Sequence, residues 1–600
     1  MENLCNFGEI SFSAIEDKLS SSNDTFWHTK KVTEMKNVQF SLAEDQGNYN
    51  GIGSLCSNFC FFQDDPSQEE ELLFPTNQQK FHHQQKSYQD HEPLDNLQFD
   101  MVQFDEQFET KKLPLCDTKK DKQYFQNTPL AAPVEILKNY GKGFKRLLPD
   151  EGKILHPVND FGLVTDNDNE RKLSTADIMK IAGTKFIQSS SSSESASGLI
   201  LNHPFGFSFS GLSDEEKDDI SLAESLLACA EKVGYQQFER ARKLLSQIES
   251  LSSKTGNPVK RVVYYFAEAL RQRIDRETGR VSINNMQKKE SLFDPEVETK
   301  DLTPTLVAFI EDLPFCKVSM FPCVQALIEN VTDAKKIHVI DLAIRKGLQW
   351  TILMQALQSR SECPLELLKI TAISSGNTDT SKLVVEDTGK RLKDFAQSLN
   401  IPFSFDTVIV SDLLHLREDH FKIDSDETVA VYSQFALRCK IQQSDQLETV
   451  MRVIRTINPR VMVVAEIEAN HNSKSFVNRF IEALFYFSAF FDCLEDCMKG
   501  DEKNRMIIES MYFSHGIRNN VAEEGAERKS RNVKIDVWRA FFTRFGMVET
   551  ELSMMSLYQA ELVAKRFPCG SSCTFDMNGH CLIVGWKGTP IISVSVWKFI

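Results

Sequence analysis

The chain has 600 residues, of which 41% are hydrophobic, and carries a formal net charge of −16. This length allows several domains and a sizeable buried core, while the negative charge argues against binding nucleic acid through bulk electrostatics but leaves room for a local basic surface. Residues 1–9 lack the basic start and apolar core of a signal peptide. No run reaches the roughly 20 apolar residues that span a bilayer, so we expect a soluble intracellular protein without a membrane partner.

Residues 1–214 are expected to form a largely disordered regulatory arm, because they show no sustained helical or strand period and contain Gln-rich and Ser-rich patches. Within this arm, residues 97–109 alternate large apolar with acidic side chains. Such a segment either docks aromatic side chains into a partner groove, as activation domains do, or is a plain solvated linker. Further along, Ser174 or Thr175 can cap a short helix that ends at Gly183, either a recognition helix for a partner or a brace packed on the folded part.

The pattern changes at Ser213, which with Glu216 has the spacing of a helix-starting capping box. Leu222, Leu226 and Leu227 then fall on one face of the first of three amphipathic helices. We expect a helical cap over about 215–330. Its apolar stripes are typical of a core, and the three leucines are also candidates for an interface with another protein, although the heptads are too short for a strict coiled coil.

Strands and helices alternate over about 331–600. The predicted strands are 337–341, 368–373, 407–410, 428–432 and 461–467, and the predicted helices are 348–359, 381–399, 445–457 and 475–492. This alternation predicts an α/β fold with a doubly wound, mainly parallel, Rossmann-like sheet covered on both faces. Two further strands, 580–586 and 591–599, are expected to form an antiparallel edge.

The first predicted strand and the turn after it decide between a cofactor enzyme and a binding fold. The strand consists of Ile337, His338, Val339, Ile340 and Asp341. A cofactor site needs glycines in the turn, so that the ligand can approach the backbone, and an acid at the end of the second strand for the ribose hydroxyls. Here Ala343 and Arg345 stand in the turn, and the second strand ends in serines. We therefore expect no cofactor and no catalytic residue.

Other polar residues of the core have two interpretations each. Asp341 is either the remnant of a site or a cap for the helix that begins near Gly347, and the cap is favoured. His338 is either a hydrogen-bonded interior histidine or a ligand or base, and the interior histidine is favoured. A polar cluster follows the fifth strand and is interpreted first as structural and second as a residual small-molecule pocket; it comprises Glu466, Glu468, Asn470, His471 and Asn472.

One basic stretch and one cysteine cluster are candidate binding sites. Candidate DNA contacts are Arg528, Lys529, Arg531 and Lys534. The alternative for that stretch is a solvated helix face paired with nearby glutamates, which is favoured. A candidate zinc site comprises Cys569, Cys573, His580 and Cys581. The scattered positions of the 14 cysteines favour ordinary reduced thiols and no metal.

The chain from about residue 215 onward resembles the GRAS family of plant transcriptional regulators. The stretch 222–231 resembles the start of its first leucine-rich region, and the strand 337–341 resembles its VHIID motif. The stretches 464–472 and 479–484 are similar to the region that precedes and contains its PFYRE motif. The residues that resemble its closing SAW block are Trp538, Gly546, Leu582, Trp586 and Trp597.

The resemblance has departures and implications. Val596 replaces the Ala of the SAW triplet, Ser475 stands where Pro is usual, and the arm lacks the DELLA and TVHYNP segments, so the chain resembles a non-DELLA member. The resemblance implies a methyltransferase-type core, a nuclear location, and association with other GRAS proteins and with DNA-bound transcription factors, so that promoter DNA is reached mostly indirectly. The alternative function is an S-adenosylmethionine-dependent methyltransferase or a small-molecule-binding protein.

Overall fold

The structure is a computed structural model that describes residues 173–190, 212–280, 303–375 and 379–600. The predicted acidic-aromatic segment 97–109 and most of the predicted arm lie outside the described residues. The helices are α1 Thr175–Ser190, α2 Asp214–Gly234, α3 Phe238–Leu251, α4 Pro258–Glu277, α5 Thr303–Asp312, α6 Phe315–Asn330, α7 Leu348–Gln358, α8 Asp379–Ser398, α9 Ser444–Ile457, α10 Phe476–Cys497, α11 Glu502–Ile507, α12 Ser514–Val521, α13 Ile535–Arg544 and α14 Met554–Ala564. A π-helical segment, Ile508–Phe513, joins α11 to α12.

The strands of the described residues form one mixed sheet. They are β1 Lys336–Asp341, β2 Leu367–Ser375, β3 Phe403–Val410, β4 Thr428–Gln434, β5 Val461–Ile467, β6 Met547–Thr550, β7 Cys573–Asn578, β8 Cys581–Trp586 and β9 Thr589–Phe599. The order across the sheet is β3-β2-β1-β4-β5-β9-β8-β7, and β6 pairs with β9. The first five strands in that order are parallel, whereas β6 to β9 pair antiparallel.

This topology confirms the predicted Rossmann-like, doubly wound sheet. Chain order reverses between β1 and β4, and Asp341 at the end of β1 lies opposite Ala372 of β2 and Tyr432 of β4. In open parallel sheets, ligands bind at the carboxyl ends of the strands beside such a reversal. The fold therefore places the turn after β1 where a cofactor would bind in an enzyme.

The carboxyl-terminal strands differ in one respect from the prediction. The strand predicted at 591–599 was expected at an edge, but β9 lies inside the sheet because it pairs with β5 on one side and with β8 on the other. The outer position belongs to β7, which was not predicted. Nor was β6, whose four residues are too few to show an alternating pattern.

The amino-terminal helices form the predicted cap. At the start of α2, the Ser213 hydroxyl accepts the Glu216 backbone N–H at 3.2 Å and the Glu216 carboxylate accepts the Ser213 N–H at 2.9 Å, which is the predicted capping box. Helix α1 packs against α2 and α10. Its apolar face is buried there through Ile178, Met179, Ile181, Ala182 and Phe186. Of the two alternatives for this segment, the structure shows the packed brace, and the helix continues beyond Gly183 to Ser190.

Apolar side chains of the helices and of the sheet form two separate core clusters. The larger contains the cap helices, α6 and α10, and the smaller contains α9 and α13. Helix α10 is buried on nearly all sides, with Phe480, Phe487 and Phe491 completely enclosed. No helix within the described ranges is long and apolar enough to cross a membrane.

Candidate functional site

Asp341 ends β1 at the position where a cofactor site would begin. Its Oδ1 accepts the Ala343 N–H at 2.9 Å, and its Oδ2 accepts Gln349 Nε2 at 3.0 Å and Trp350 Nε1 at 2.9 Å. Complete burial raises the pKa of Asp341 to about 6, against the lowering effect of these three donors. The carboxylate therefore links the loop after β1 to the first helical turn of α7.

The expected capping role of Asp341 needs a correction. The residue at the amino-terminal cap of α7 is Gly347, with φ of 66° and no side-chain cap. Asp341 accepts from side chains of α7 and from the turn backbone instead of from the free N–H groups of the helix. Left-handed backbone at position 347 favours glycine, and a Cβ there would lie 3.1 Å from both Leu392 and Thr388.

The space beside this turn is filled by protein atoms. Arg345 places its guanidinium 5.2 Å from the centre of the Phe435 ring and donates to the Phe435 carbonyl at 3.4 Å. The cleft that remains between Arg345, Phe435, Met320 and Gln349 has a free volume of about 30 Å³. That volume suits one or two water molecules, whereas a drug-sized ligand needs about 300 Å³ or more. The residues present therefore do not fit S-adenosylmethionine.

His338 lies within the sheet, away from this edge, and has no exposed surface. Its Nδ1 is 2.8 Å from a Glu427 carboxylate oxygen, and its Nε2 is 2.7 Å from the Thr371 hydroxyl. Burial is the main cause that lowers the pKa of His338, and the charge of Lys369 lowers it further. The charge of Glu427 acts in the opposite direction. The expectation of a hydrogen-bonded interior histidine is confirmed.

The polar cluster at the end of β5 is buried, with no member more than 7% exposed. Glu466 Oε1 accepts the Leu437 N–H at 2.8 Å, Glu468 Oε2 accepts the Ile535 N–H at 2.9 Å, and His471 Nδ1 lies 2.8 Å from Asn532 Nδ2. Burial raises the pKa of Glu466 and of Glu468 to about 7 and lowers that of His471 to about 3. These side chains bind backbone groups and an amide of neighbouring segments, which supports the structural interpretation.

The predicted DNA-contact stretch is a loop that leads into α13, and most of it faces the protein. Arg528 is 2% exposed and donates from Nε to the Asn519 carbonyl at 3.2 Å and from a terminal nitrogen to the His471 carbonyl. Burial lowers its pKa to about 8. Arg531 donates to Asn472 at 3.3 Å, and Lys534 lies 3.2 Å from a Glu482 carboxylate oxygen.

Of the four basic candidates, Lys529 is exposed, and Lys534 keeps 45% of its side chain accessible beside Glu482. The helical alternative is also corrected, because a short 3₁₀ turn, Gly525–Glu527, precedes the loop, and α13 begins only at Ile535. Arg528 and Arg531 hold the loop to the β5 cluster through His471 and Asn472. A row of charges in the sequence does not distinguish that role from phosphate binding.

The leucines predicted at an interface lie in the protein interior. Leu222, Leu226 and Leu227 are 4%, 0% and 3% exposed, and all belong to the larger core cluster. The structure places them between the helices of the cap, so they do not form a surface on which a second protein could bind.

The SAW-block residues also form core. Trp538, Leu582, Trp586 and Trp597 are each at most 1% exposed. Trp586 donates from Nε1 to Asp492 at 2.8 Å, and the Trp597 ring lies 4.7 Å from that of Phe542. Gly546, with φ of 81°, forms the turn between α13 and β6. The motif fixes the carboxyl-terminal strands to the helices behind them.

The candidate zinc site is overturned. Cys569 is bonded to Cys497 as a disulfide, which corrects the expectation of ordinary reduced thiols. Cys573 and Cys581 are buried free cysteines. Within the ranges that the structure describes, no group of three or more His, Cys, Asp or Glu side chains could hold a metal ion.

The fold and the filled turn define a Rossmann-like α/β domain with a helical cap. A model of the GRAS domain family matches residues 222–598, so the chain belongs to the GRAS domain family. Over 407 residues it is 30% identical to DELLA protein DWARF8 of Zea mays, and the match covers 64% of this chain and 62% of that protein. Over 387 residues it is 30% identical to DELLA protein RGL1 of Arabidopsis thaliana, with 64% and 71% covered.

Among solved structures, the chain is similar to SCL7 of Oryza sativa, with 26% identity and a TM-score of 0.54. That similarity covers 63% of this chain and 99% of the SCL7 chain. The chain spans less than two thirds of the length of DELLA protein DWARF8. Helix α1, at Thr175–Ser190, lies before the matched family domain.

Proposed function

We propose that this protein is a nuclear regulator of plant transcription that acts through association with other proteins and has no enzymatic activity. The observation that carries the proposal is the filled turn after β1, where Arg345 and Phe435 leave a free volume of about 30 Å³ beside Asp341. Asp341 itself already accepts three hydrogen bonds from the protein. Membership of the GRAS domain family and the similarity to plant DELLA proteins support the regulatory role.

In this proposal the partners are other GRAS proteins and DNA-bound transcription factors, and promoter DNA is reached mostly through them. Two observations support indirect DNA contact. The formal net charge of −16 repels phosphate unless a partner tethers the protein. In addition, Arg528 donates to carbonyl groups inside the protein and is 2% exposed. Lys529 is exposed, and the partly accessible Lys534 is paired with Glu482.

The acidic-aromatic segment 97–109 is proposed to recruit the transcription machinery. Deleting these residues from a fusion tethered to a reporter promoter should lower reporter output. A control deletion of equal length at 52–64 should leave output unchanged. Equal output from the segment deletion and the full chain would rule out an activating role for 97–109.

Titration calorimetry of the full chain with S-adenosylmethionine tests the catalytic alternative. We expect no binding heat up to about 1 mM ligand, because the turn after β1 is occupied. Binding well below that concentration would show that Arg345 and Phe435 move aside, and it would overturn the non-enzymatic proposal.

Selection of the full chain against a random DNA pool tests how it reaches promoters. We expect no enriched motif and only weak binding that falls steeply with salt. Enrichment of a short sequence whose binding is lost in the Lys529→Ala variant would overturn the indirect mode and make the chain a direct DNA reader. Co-precipitation with a second GRAS protein tests the partner class in the same preparation.

A further inference from the structure

Three cysteines lie together at the carboxyl end of α10. Cys497, the last residue of that helix, is bonded to Cys569, which follows α14, and the two Cα atoms are 5.8 Å apart. Cys493 lies one helical turn before Cys497, and its sulfur is 3.7 Å from that of Cys497. A free thiol therefore stands in contact with a disulfide sulfur. The sequence separation of 72 residues between Cys497 and Cys569 hides this arrangement from sequence reasoning.

We propose that Cys493, Cys497 and Cys569 form a thiol–disulfide exchange site in which Cys497 is the shared sulfur, with oxidised low-molecular-weight thiols such as oxidised glutathione as co-reactant. The proposed role as a redox site rests on the proposed nuclear function, because a nuclear protein lies in a reducing compartment. Disulfides in such compartments are usually transient and redox-sensing instead of permanent. The partly exposed position of Cys497 admits a small thiol, whereas Cys493 and Cys569 are buried.

The proposed exchange has three steps, and the first two form the Cys497–Cys569 bond. The Cys497 thiolate attacks one sulfur of oxidised glutathione, which forms a mixed disulfide and releases one glutathione thiolate. The Cys569 thiolate then attacks the Cys497 sulfur, which forms the observed cross-link and releases the second glutathione. The two electrons and two protons lost by the protein thiols end on two molecules of reduced glutathione.

The third step needs no outside reagent. The Cys493 thiolate attacks the Cys497 sulfur, a Cys493–Cys497 bond forms, and Cys569 leaves as a thiolate that takes up the proton given up by Cys493. Residues four apart on a helix lie on the same face, in agreement with the 3.7 Å contact. Burial is the main cause that raises the pKa of Cys493 well above its usual range, and the nearby Cys573 raises it further. Because the thiolate is the nucleophile, the raised pKa slows this third step.

The exchange changes which parts of the fold are tied together. The Cys497–Cys569 bond links α10 to the segment before β7, whereas a Cys493–Cys497 bond stays within α10. The adjacent residue Asp492 accepts the Thr175 N–H of α1 at 3.0 Å and the Trp586 indole N–H at 2.8 Å. Helix α1 is thus docked on the same helical turn of α10 that carries the exchange site, and loosening that turn loosens α1.

Disulfide mapping of the full chain tests the exchange. The protein is equilibrated in glutathione buffers, quenched with acid, alkylated and digested for mass spectrometry. In the wild type we expect Cys497–Cys569 as the main bond, and in the Cys569→Ser variant we expect Cys493–Cys497. A Cys363→Ser control, at a partly buried cysteine outside the cluster, should reproduce the wild-type pattern.

The proposal fails if Cys569→Ser, with a wild-type circular dichroism spectrum under reducing conditions, keeps Cys493 alkylated while Cys497 carries glutathione. It also fails if the wild type forms no Cys497–Cys569 bond in any of the buffers. Hydrogen exchange of 178–182 tests the link to α1: we expect exchange about tenfold faster in the reduced protein, and equal rates would remove α1 from the mechanism. Failure here leaves the regulatory proposal intact, since reporter output and DNA selection test that separately.

Discussion

The indole N–H of Trp350 donates a 2.9 Å hydrogen bond to the carboxylate of Asp341, and neither side chain has any exposed surface. Asp341 closes the first strand of the sheet and Trp350 lies in the first full turn of the helix that follows. In an enzyme of this fold the same turn would hold a ligand. Here a buried carboxylate and an aromatic residue stabilise the strand–helix connection from within.

Asp341→Ala should destabilise the domain strongly, because it leaves the Ala343 N–H, the Gln349 amide and the Trp350 indole without their buried acceptor. Each unsatisfied buried donor costs about 1–3 kcal/mol, so we expect a loss of at least 3 kcal/mol in the free energy of unfolding. Urea unfolding followed by circular dichroism measures it.

The matched variant Trp350→Phe removes one donor and keeps the ring packed against Tyr432. It should cost about 1 kcal/mol, well below the cost of Asp341→Ala. Equal losses for the two variants would mean that ring packing, and not the carboxylate, holds the turn.

Glu466 should make folding stability depend on pH. Burial raises its pKa from the usual 4.5 to about 7, so the folded state binds the proton more tightly than the unfolded state. Its contribution to stability is therefore complete below about pH 4.5 and is lost as the pH rises to about 7. Glu466→Gln keeps an oxygen for the Leu437 N–H and cannot ionise.

The stability of Glu466→Gln relative to wild type should consequently increase between pH 4.5 and 7, by up to about 3 kcal/mol. Glu468, Asp341 and His471 titrate in both proteins, so their effects cancel in the difference. Urea unfolding at a series of pH values measures it, with the exposed Glu418→Gln as control. A difference that stays constant with pH would show that Glu466 does not carry the raised pKa.

The parallel sheet could be predicted from the sequence because its strands are continuous apolar runs between amphipathic helices. The bulk of the turn after β1 was also predictable, since Ala343 and Arg345 stand where a cofactor loop has glycines. The first half of β3, from Phe403, was not predicted because this edge strand is only partly buried there and lacks the continuous apolar run of the inner strands.

The roles of charged and sulfur-containing residues could not be predicted in the same way, because they depend on partners far away in sequence. Arg528 binds a carbonyl 57 residues away, and His338 binds a carboxylate 89 residues away. The Cys497–Cys569 bond spans 72 residues. Local patterns predict whether a side chain belongs to a helix or a strand, but not which distant group it meets.

Arg528 is buried, whereas the next residue, Lys529, is exposed. Substituting each in turn distinguishes an effect on folding stability from an effect on DNA contact. Arg528→Ala leaves the buried His471 and Asn519 carbonyls without their donor, so we expect a loss of about 3 kcal/mol in unfolding free energy. Lys529→Ala changes an exposed side chain and should stay within about 0.5 kcal/mol of wild type.

Thermal melts and salt-titrated DNA anisotropy of the two variants provide the measurement. Weaker DNA binding by Arg528→Ala that accompanies a lower melting temperature would reflect loss of the loop structure. A variant with Arg528→Ala that melts like wild type but binds DNA more weakly would contradict the buried role of this side chain.

Leu226 provides the test of the leucine face of the cap. The side chain is completely buried between cap helices, so Leu226→Ala should cost about 3 kcal/mol, and Leu226→Asp should unfold the cap because it buries an unpaired charge. Leu251, at the end of α3, is 62% exposed, and Leu251→Asp should stay within about 0.5 kcal/mol of wild type.

Denaturant unfolding and co-precipitation with another GRAS protein are measured on the same preparations. We expect Leu226→Asp to lose binding together with its helical signal, which identifies the loss as an effect on folding. A Leu226→Ala variant that keeps the wild-type unfolding free energy but no longer co-precipitates would show that Leu226 contacts a partner directly. The side chain would then leave its buried position when the complex forms.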